Sequence, residues 1–153
     1  MILRQLLESA DLRLLSGGVS AGVDGAFVTT ATEIDTLGFD SVAIIYSVGA
    51  IAAGGIITTR VKASDTSGTY GAGTIDRIGA NLANNADTDD DRFIVHEVYR
   101  PTRRFLRTEY QRTVGNVTIN GIFAVLFNAK DTPPALAQIE ARQSLNSPTP
   151  SAS

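Results

Sequence analysis

Between residues 26 and 127 the sequence breaks into short runs rich in β-branched and aromatic residues, each closed by Gly, Pro, Asn or Asp. That punctuation constrains the fold more than any other feature, because such runs fit a pleated half-buried surface and their closing residues supply turns. The runs cover residues 26–31, 40–48, 56–62, 93–99, 105–110 and 117–127, with Gly54-Gly55 as a turn or bulge before the third. Strand-length runs at this spacing predict an all-β sandwich. In the last run Val117, Ile119, Gly121, Phe123, Val125 and Phe127 fall on one side at period two, which predicts the core side. The opposite side, Thr118, Asn120, Ile122, Ala124 and Leu126, turns apolar toward its end. A strand apolar on both faces is either central in its sheet or covered by a partner.

The flanks differ. Leu3, Leu6, Leu7, Ala10 and Leu14 recur at helical spacing until Gly17-Gly18 stops the pattern, predicting a short amphipathic helix or arm over residues 1–18. About three turns are too few to be stable alone, so its apolar face must dock on its own domain or on another chain. The sandwich is assigned to residues 19–130, and residues 131–153 to a C-terminal arm and flexible tail. In that tail, residues 134–145 permit a brief helix or extended arm, whereas 146–153 are Ser, Pro, Thr, Ala and Asn, too polar to bury. Residues 63–91 form the least regular stretch. Ile75, Ile78 and Leu82 are its anchors for one short helical turn or strand.

Composition narrows the chemistry. The 153 residues contain no Cys, which excludes disulfides, thiolate zinc sites, iron–sulfur clusters and a cysteine nucleophile. A net charge of -3 and a pI near 5.0 oppose a dedicated nucleic-acid binder. Arg4, Glu8, Asp11 and Arg13 interrupt the leucine-rich start, leaving neither a secretory apolar core nor a membrane span, so a soluble protein made in the cytoplasm is expected.

No motif for catalysis emerges. The run Asp87-Thr88-Asp89-Asp90-Asp91 lacks the Gly and Glu that an EF-hand loop requires, and reads as a solvated turn. His96, the single histidine, shares a strand face with Ile94 and Val98, and no G-x-S-x-G surrounds any serine. The glycines form neither a P-loop nor a dinucleotide fingerprint. Paired carboxylates, as a hydrolase would need, are not placed together by anything in the sequence. No cofactor, metal or catalytic residue is therefore assigned.

Charge is unevenly distributed. Residues 92–112 hold six arginines, Arg92, Arg100, Arg103, Arg104, Arg107 and Arg112, against Glu97 and Glu109, and follow directly on the acidic run. Arginine forks match carboxylates and are favoured at protein interfaces, whereas alternating charges also suit a solvated strand face.

Three segments then carry a resemblance: Gly38-Phe39-Asp40-Ser41-Val42, Ser64-Asp65-Thr66-Ser67-Gly68, and Arg104-Phe105-Leu106-Arg107, in that order. Over residues 36–128 the chain resembles the cement or decoration proteins of tailed-bacteriophage heads. The longer loop at 70–91 and the leucines before Gly17 depart from shorter members of that family. The resemblance implies a jelly-roll-like sandwich, no enzymatic activity, self-association, and docking on the outer face of the major capsid protein to clamp neighbouring capsomers. On that reading Leu3, Leu6, Leu7 and Leu14 pack on the same or a neighbouring subunit, and Arg100, Arg103, Arg104 and Arg107 contact capsid carboxylates. A homodimer is expected ahead of a trimer from the prevalence of two-fold symmetry, with no nucleic-acid or membrane partner. The rival expectations are a carbohydrate- or receptor-binding virion module, for which tyrosines are few and Trp is lacking, and a hydrolase with paired acids.

Overall fold

The computed structural model describes residues 9–73, 76–84 and 90–130. Within them ten strands are laid out in chain order: β1 (Asp11–Ser16), β2 (Val19–Gly22), β3 (Val28–Thr29), β4 (Ile34–Asp35), β5 (Phe39–Ile51), β6 (Ile56–Ser64), β7 (Arg77–Asn84), β8 (Phe93–Tyr99), β9 (Phe105–Thr113) and β10 (Val117–Ala129). They form two antiparallel five-stranded sheets, consistent with a β-sandwich. In the first sheet β1 and β2 share one side of β10, followed by β5 and β8. In the second, β3 and β4 share one side of β9, followed by β6 and β7.

The core lies between the sheets. Val42, Ile44, Tyr46 and Val48 of β5 alternate inward with Ile122, Ala124 and Leu126 of β10, against Ile57, Val61, Leu106 and Tyr110 from the second sheet. Buried polar groups there are satisfied across the sandwich, as burial requires. The Tyr46 hydroxyl and Thr108 Oγ1 are 2.6 Å apart, and the Thr108 hydroxyl also donates to the Arg60 carbonyl. Burial pushes the Tyr46 phenol pKa well up, so it stays neutral.

Four of the expected strand runs recur with longer ends. Residues 40–48 extend to β5, 56–62 to β6, 105–110 to β9 and 117–127 to β10, while 93–99 coincides with β8. The run at 26–31 contracts to Val28–Thr29 in β3, because an edge strand with one neighbour pairs only where the chain runs beside β9. Within the irregular 63–91 stretch, Ile78 and Leu82 belong to a strand, β7.

Two expectations are corrected. Residues 11–16 are not helical: β1 pairs in register with β10, Leu12 with Val125 and Leu14 with Phe123, since pairing with an apolar strand outweighs a weak helical periodicity. Leu3, Leu6 and Leu7, and the C-terminal arm and tail, lie outside the described residues.

The second correction concerns which side of β10 faces inward. Val117 and Ile119 are buried as expected, but beyond them the buried residues are Ile122, Ala124 and Leu126, while Phe123, Val125 and Phe127 are only half-buried. Register against β5 shifts on both sides of Ile119, the signature of bulged pairing. The first shift adds a residue to β5 and the second, between Ile119 and Gly121, adds one to β10, which exchanges the two faces of every β10 residue that follows. β10 does occupy an interior place in its sheet, between β5 and the β1/β2 side.

Candidate functional site

The bulge near the start of β10 places a continuous apolar surface on the outer side of the first sheet. Register aligns Leu14, Phe123, Ile45 and Val95 in one row across four strands. The next row is Leu12, Val125, Ala43 and Glu97, and Phe93 follows on β8 beside Ser47. Leu14 is 58% exposed, Val95 48% and Phe93 66%. Seven of the eight residues in those two rows are apolar. A single exposed leucine needs no explanation, but contiguous apolar rows mark an interaction surface. These side chains are about half covered already, so covering the rest contributes about 1–2 kcal/mol each, and several must act together to exceed the cost of association.

Two of the three segments that carry the family resemblance meet directly, Ser64 pairing with Phe105, and the first starts close by, because Thr36, whose carbonyl accepts from the Phe39 amide, donates its own amide and hydroxyl to the Arg104 carbonyl. Gly38 has φ +89, a left-handed conformation that glycine adopts without strain and that turns the chain into β5. Glu33 accepts hydrogen bonds from the Ser67 hydroxyl, the Gly68 amide and the Tyr70 hydroxyl. Although burial opposes it, these donors hold the Glu33 carboxyl below its ordinary pKa.

Here, two of the arginines expected at an interface pair within their own chain. Arg104 grips Asp35 with two nitrogens at 2.8 and 2.7 Å, and Arg103 reaches Asp76 at 2.6 Å and the Ala63 carbonyl at 3.1 Å. The Arg104 bonds hold the Asp35 carboxyl below its ordinary pKa, and the Gly71 amide, followed by Arg103, does the same for Asp76. Arg100, in a left-handed conformation at φ 48, stacks its guanidinium 5.1 Å from the Tyr99 ring. Arg107 sits 5.1 Å from the Tyr70 ring.

Sequence reasoning missed two ion-pair groups. Arg112 clasps Asp24 at 2.8 and 2.9 Å and also donates to the Ser20 and Val117 carbonyls. On the outer side of the second sheet, Arg60 meets Glu109 at 2.6 Å under the Phe27 ring, with Lys62 3.6 Å from the same carboxylate. The only signal for the latter was alternation of Arg60 and Lys62 with Thr59 and Val61, which equally describes a solvated face.

The remaining candidates have structural surroundings. His96 Nε2 lies 2.7 Å from Thr59 Oγ1, bridging the two sheets, and its burial lowers the imidazole pKa, which favours the neutral ring. It borders a groove of about 420 Å³ between β7 and β8 whose one acidic lining residue is Glu97. Asp90, at the end of the acidic run, caps the Ile51 amide at 2.8 Å. Among the described residues no group of three potential metal ligands occurs. No described helix is long and apolar enough to cross a membrane. A scan against protein-family models and a search of curated proteins find no match to the chain.

Proposed function

We propose that the protein is a structural virion protein that binds the outer surface of a tailed-bacteriophage major capsid protein and stabilises the shell by clamping neighbouring capsomers. The observation that carries this reading is the apolar outer face of the first sheet, Leu12, Leu14, Ile45, Val95, Phe123 and Val125, mounted on a rigid antiparallel scaffold. Such a face needs a partner surface, and a repeating shell supplies one many times over. Modest contacts then add through effective concentration.

The finer fold assignment belongs to the same proposal. The strand orders β1/β2-β10-β5-β8 and β3/β4-β9-β6-β7 support a jelly roll, in which successive strands cross between the sheets and the last strand returns beside the first. Direct pairing of two of the resembling segments, with the third starting close by, supports the family reading. In this role the protein is not an enzyme, requires no cofactor, self-associates as a homodimer ahead of a trimer, and resides on the outer capsid surface after synthesis in the host cytoplasm.

The deciding experiment is quantitative mass spectrometry of purified particles, comparing copies of this chain with copies of the major capsid protein. A fixed ratio amounting to on the order of hundreds of copies is expected of a lattice-wide cement protein. A handful of copies, or none, would refute the role.

A further inference from the structure

Arginines on and around β9 differ in one respect. Arg60, Arg103, Arg104 and Arg112 each have a carboxylate oxygen within 2.6 to 2.8 Å. Arg107 lies among them, yet its Nε is buried and without a hydrogen-bond partner. An unpartnered buried guanidinium N–H is costly, and each such group in a folded protein calls for an explanation.

Arg107 lines a cleft of about 310 Å³ on the outer side of the second sheet, together with Thr29, Arg60, Lys62, Glu109, Tyr70 and the loop around Gly71. Three cations therefore face one carboxylate. Glu109 is committed to Arg60 and Lys62, and Thr29 also donates to it. Glu33 exerts a favourable field on Arg107, but both its oxygens already accept from Ser67, Gly68 and Tyr70. Asp76 is likewise held by the Gly71 amide and Arg103.

The cleft wall is fixed in advance by those bonds. Lys62 Nζ donates to the Gly71 carbonyl at 2.6 Å, and Tyr70 is held over Arg107 through its bond to Glu33. A ligand entering here therefore orders little that is not already ordered, which preserves affinity.

We propose that this cleft binds a carboxylate side chain of a protein partner, with Arg107 as its principal contact and Arg60 and Lys62 adding positive field. The planar fork of Arg107 matches a carboxylate, and the excess of two positive charges among the lining side chains is reduced to one by such a ligand. A more highly charged anion would meet Glu109 across the same small space. The proposal deepens the capsid reading and rests on it only for who supplies the carboxylate.

The test observes the arginine Nε–Hε resonances of the intact protein by NMR while a blocked Gly-Glu-Gly peptide is added, with its Gln analogue and inorganic phosphate as separate titrations. A saturable shift of the Arg107 signal with the Glu peptide is expected, with the Gln peptide silent. Arg112, held by Asp24, should stay in place and also reports that the fold is intact. In Arg107→Gln, amide shifts in residues 68–73 should need about tenfold more Glu peptide or vanish, whereas Arg104→Gln should bind as the native chain does. No movement of Arg107 at tens of millimolar peptide, equal response to the Gln peptide, or response to phosphate alone would each overturn the proposal. Because no particle enters this experiment, its failure leaves the copy-number measurement standing, and the converse also holds.

Discussion

At the scale of single residues, backbone strain and buried ion pairs offer the clearest levers. Val114 has φ 68 and is 78% exposed, so a β-branched side chain occupies the left-handed region with little burial in return. That conformation costs about 1–2 kcal/mol for an L-residue, and glycine relieves it at an entropic cost of about 0.5–1 kcal/mol. Val114→Gly should therefore raise the thermal midpoint by roughly 2 °C in calorimetry. Arg112 and Asp24 are 7% and 11% exposed in their side chains and join segments far apart in sequence. Arg112→Met leaves Asp24 unpaired and should destabilise by about 3–5 kcal/mol in denaturant unfolding. The same pair sets an acid dependence. Hydrogen bonds from the Arg112 side chain hold the Asp24 carboxyl below its ordinary 3.8, so its contribution is complete above that value and fades as pH falls through the lower folded value. Native protein should lose this stability as pH falls from 3.8 toward that folded value, below which the pair contributes no further loss. Asp24→Asn, weaker at neutral pH, should lose less on acidification.

At the scale of elements, turns and bulges decide what the strands present. The β5–β6 and β9–β10 turns abut: a Cβ on Gly115 would lie 2.9 Å from the Gly55 nitrogen and 3.1 Å from the Ala53 carbonyl oxygen. Both are backbone atoms that cannot swing aside. Gly115→Ala should thus cost about 1–3 kcal/mol, read as a lower urea midpoint with an unchanged slope. The irregular pairing in β10 has the larger consequence, since it turns Ile122, Ala124 and Leu126 inward and leaves Phe123 and Val125 on the outer face. β8 adds Phe93 and Val95 to that face, and β1 adds Leu12 and Leu14. Alternation along each strand was legible; where it changes phase was not. A bulge is a property of two strands paired together; Asn120-Gly121 is a local hint of one, but nothing in the chain fixes which residue is left unpaired.

At the scale of the whole molecule, the outer face of the first sheet should matter for association and hardly for folding. Leu14→Asp combined with Val95→Asp removes exposed apolar surface without opening the core, so the thermal midpoint should fall little while retention on particles drops several-fold in sedimentation assays. Equal retention of the native chain and this variant would remove the face from the proposed clamp. The sequence by itself determined the β class, the positions of β5, β6, β8, β9 and β10 and the exclusion of thiol chemistry, because alternation, turn residues and composition are local properties of the chain. Only the tertiary structure decided the inward side of β10, the strand character of residues 11–16, and the partners of the arginines. Arg104 finds Asp35 across 69 positions and Arg112 finds Asp24 across 88. Such pairings exist only once two sheets have brought distant segments together, and they are what leaves Arg107, among its neighbours, as the arginine with a buried unpartnered nitrogen.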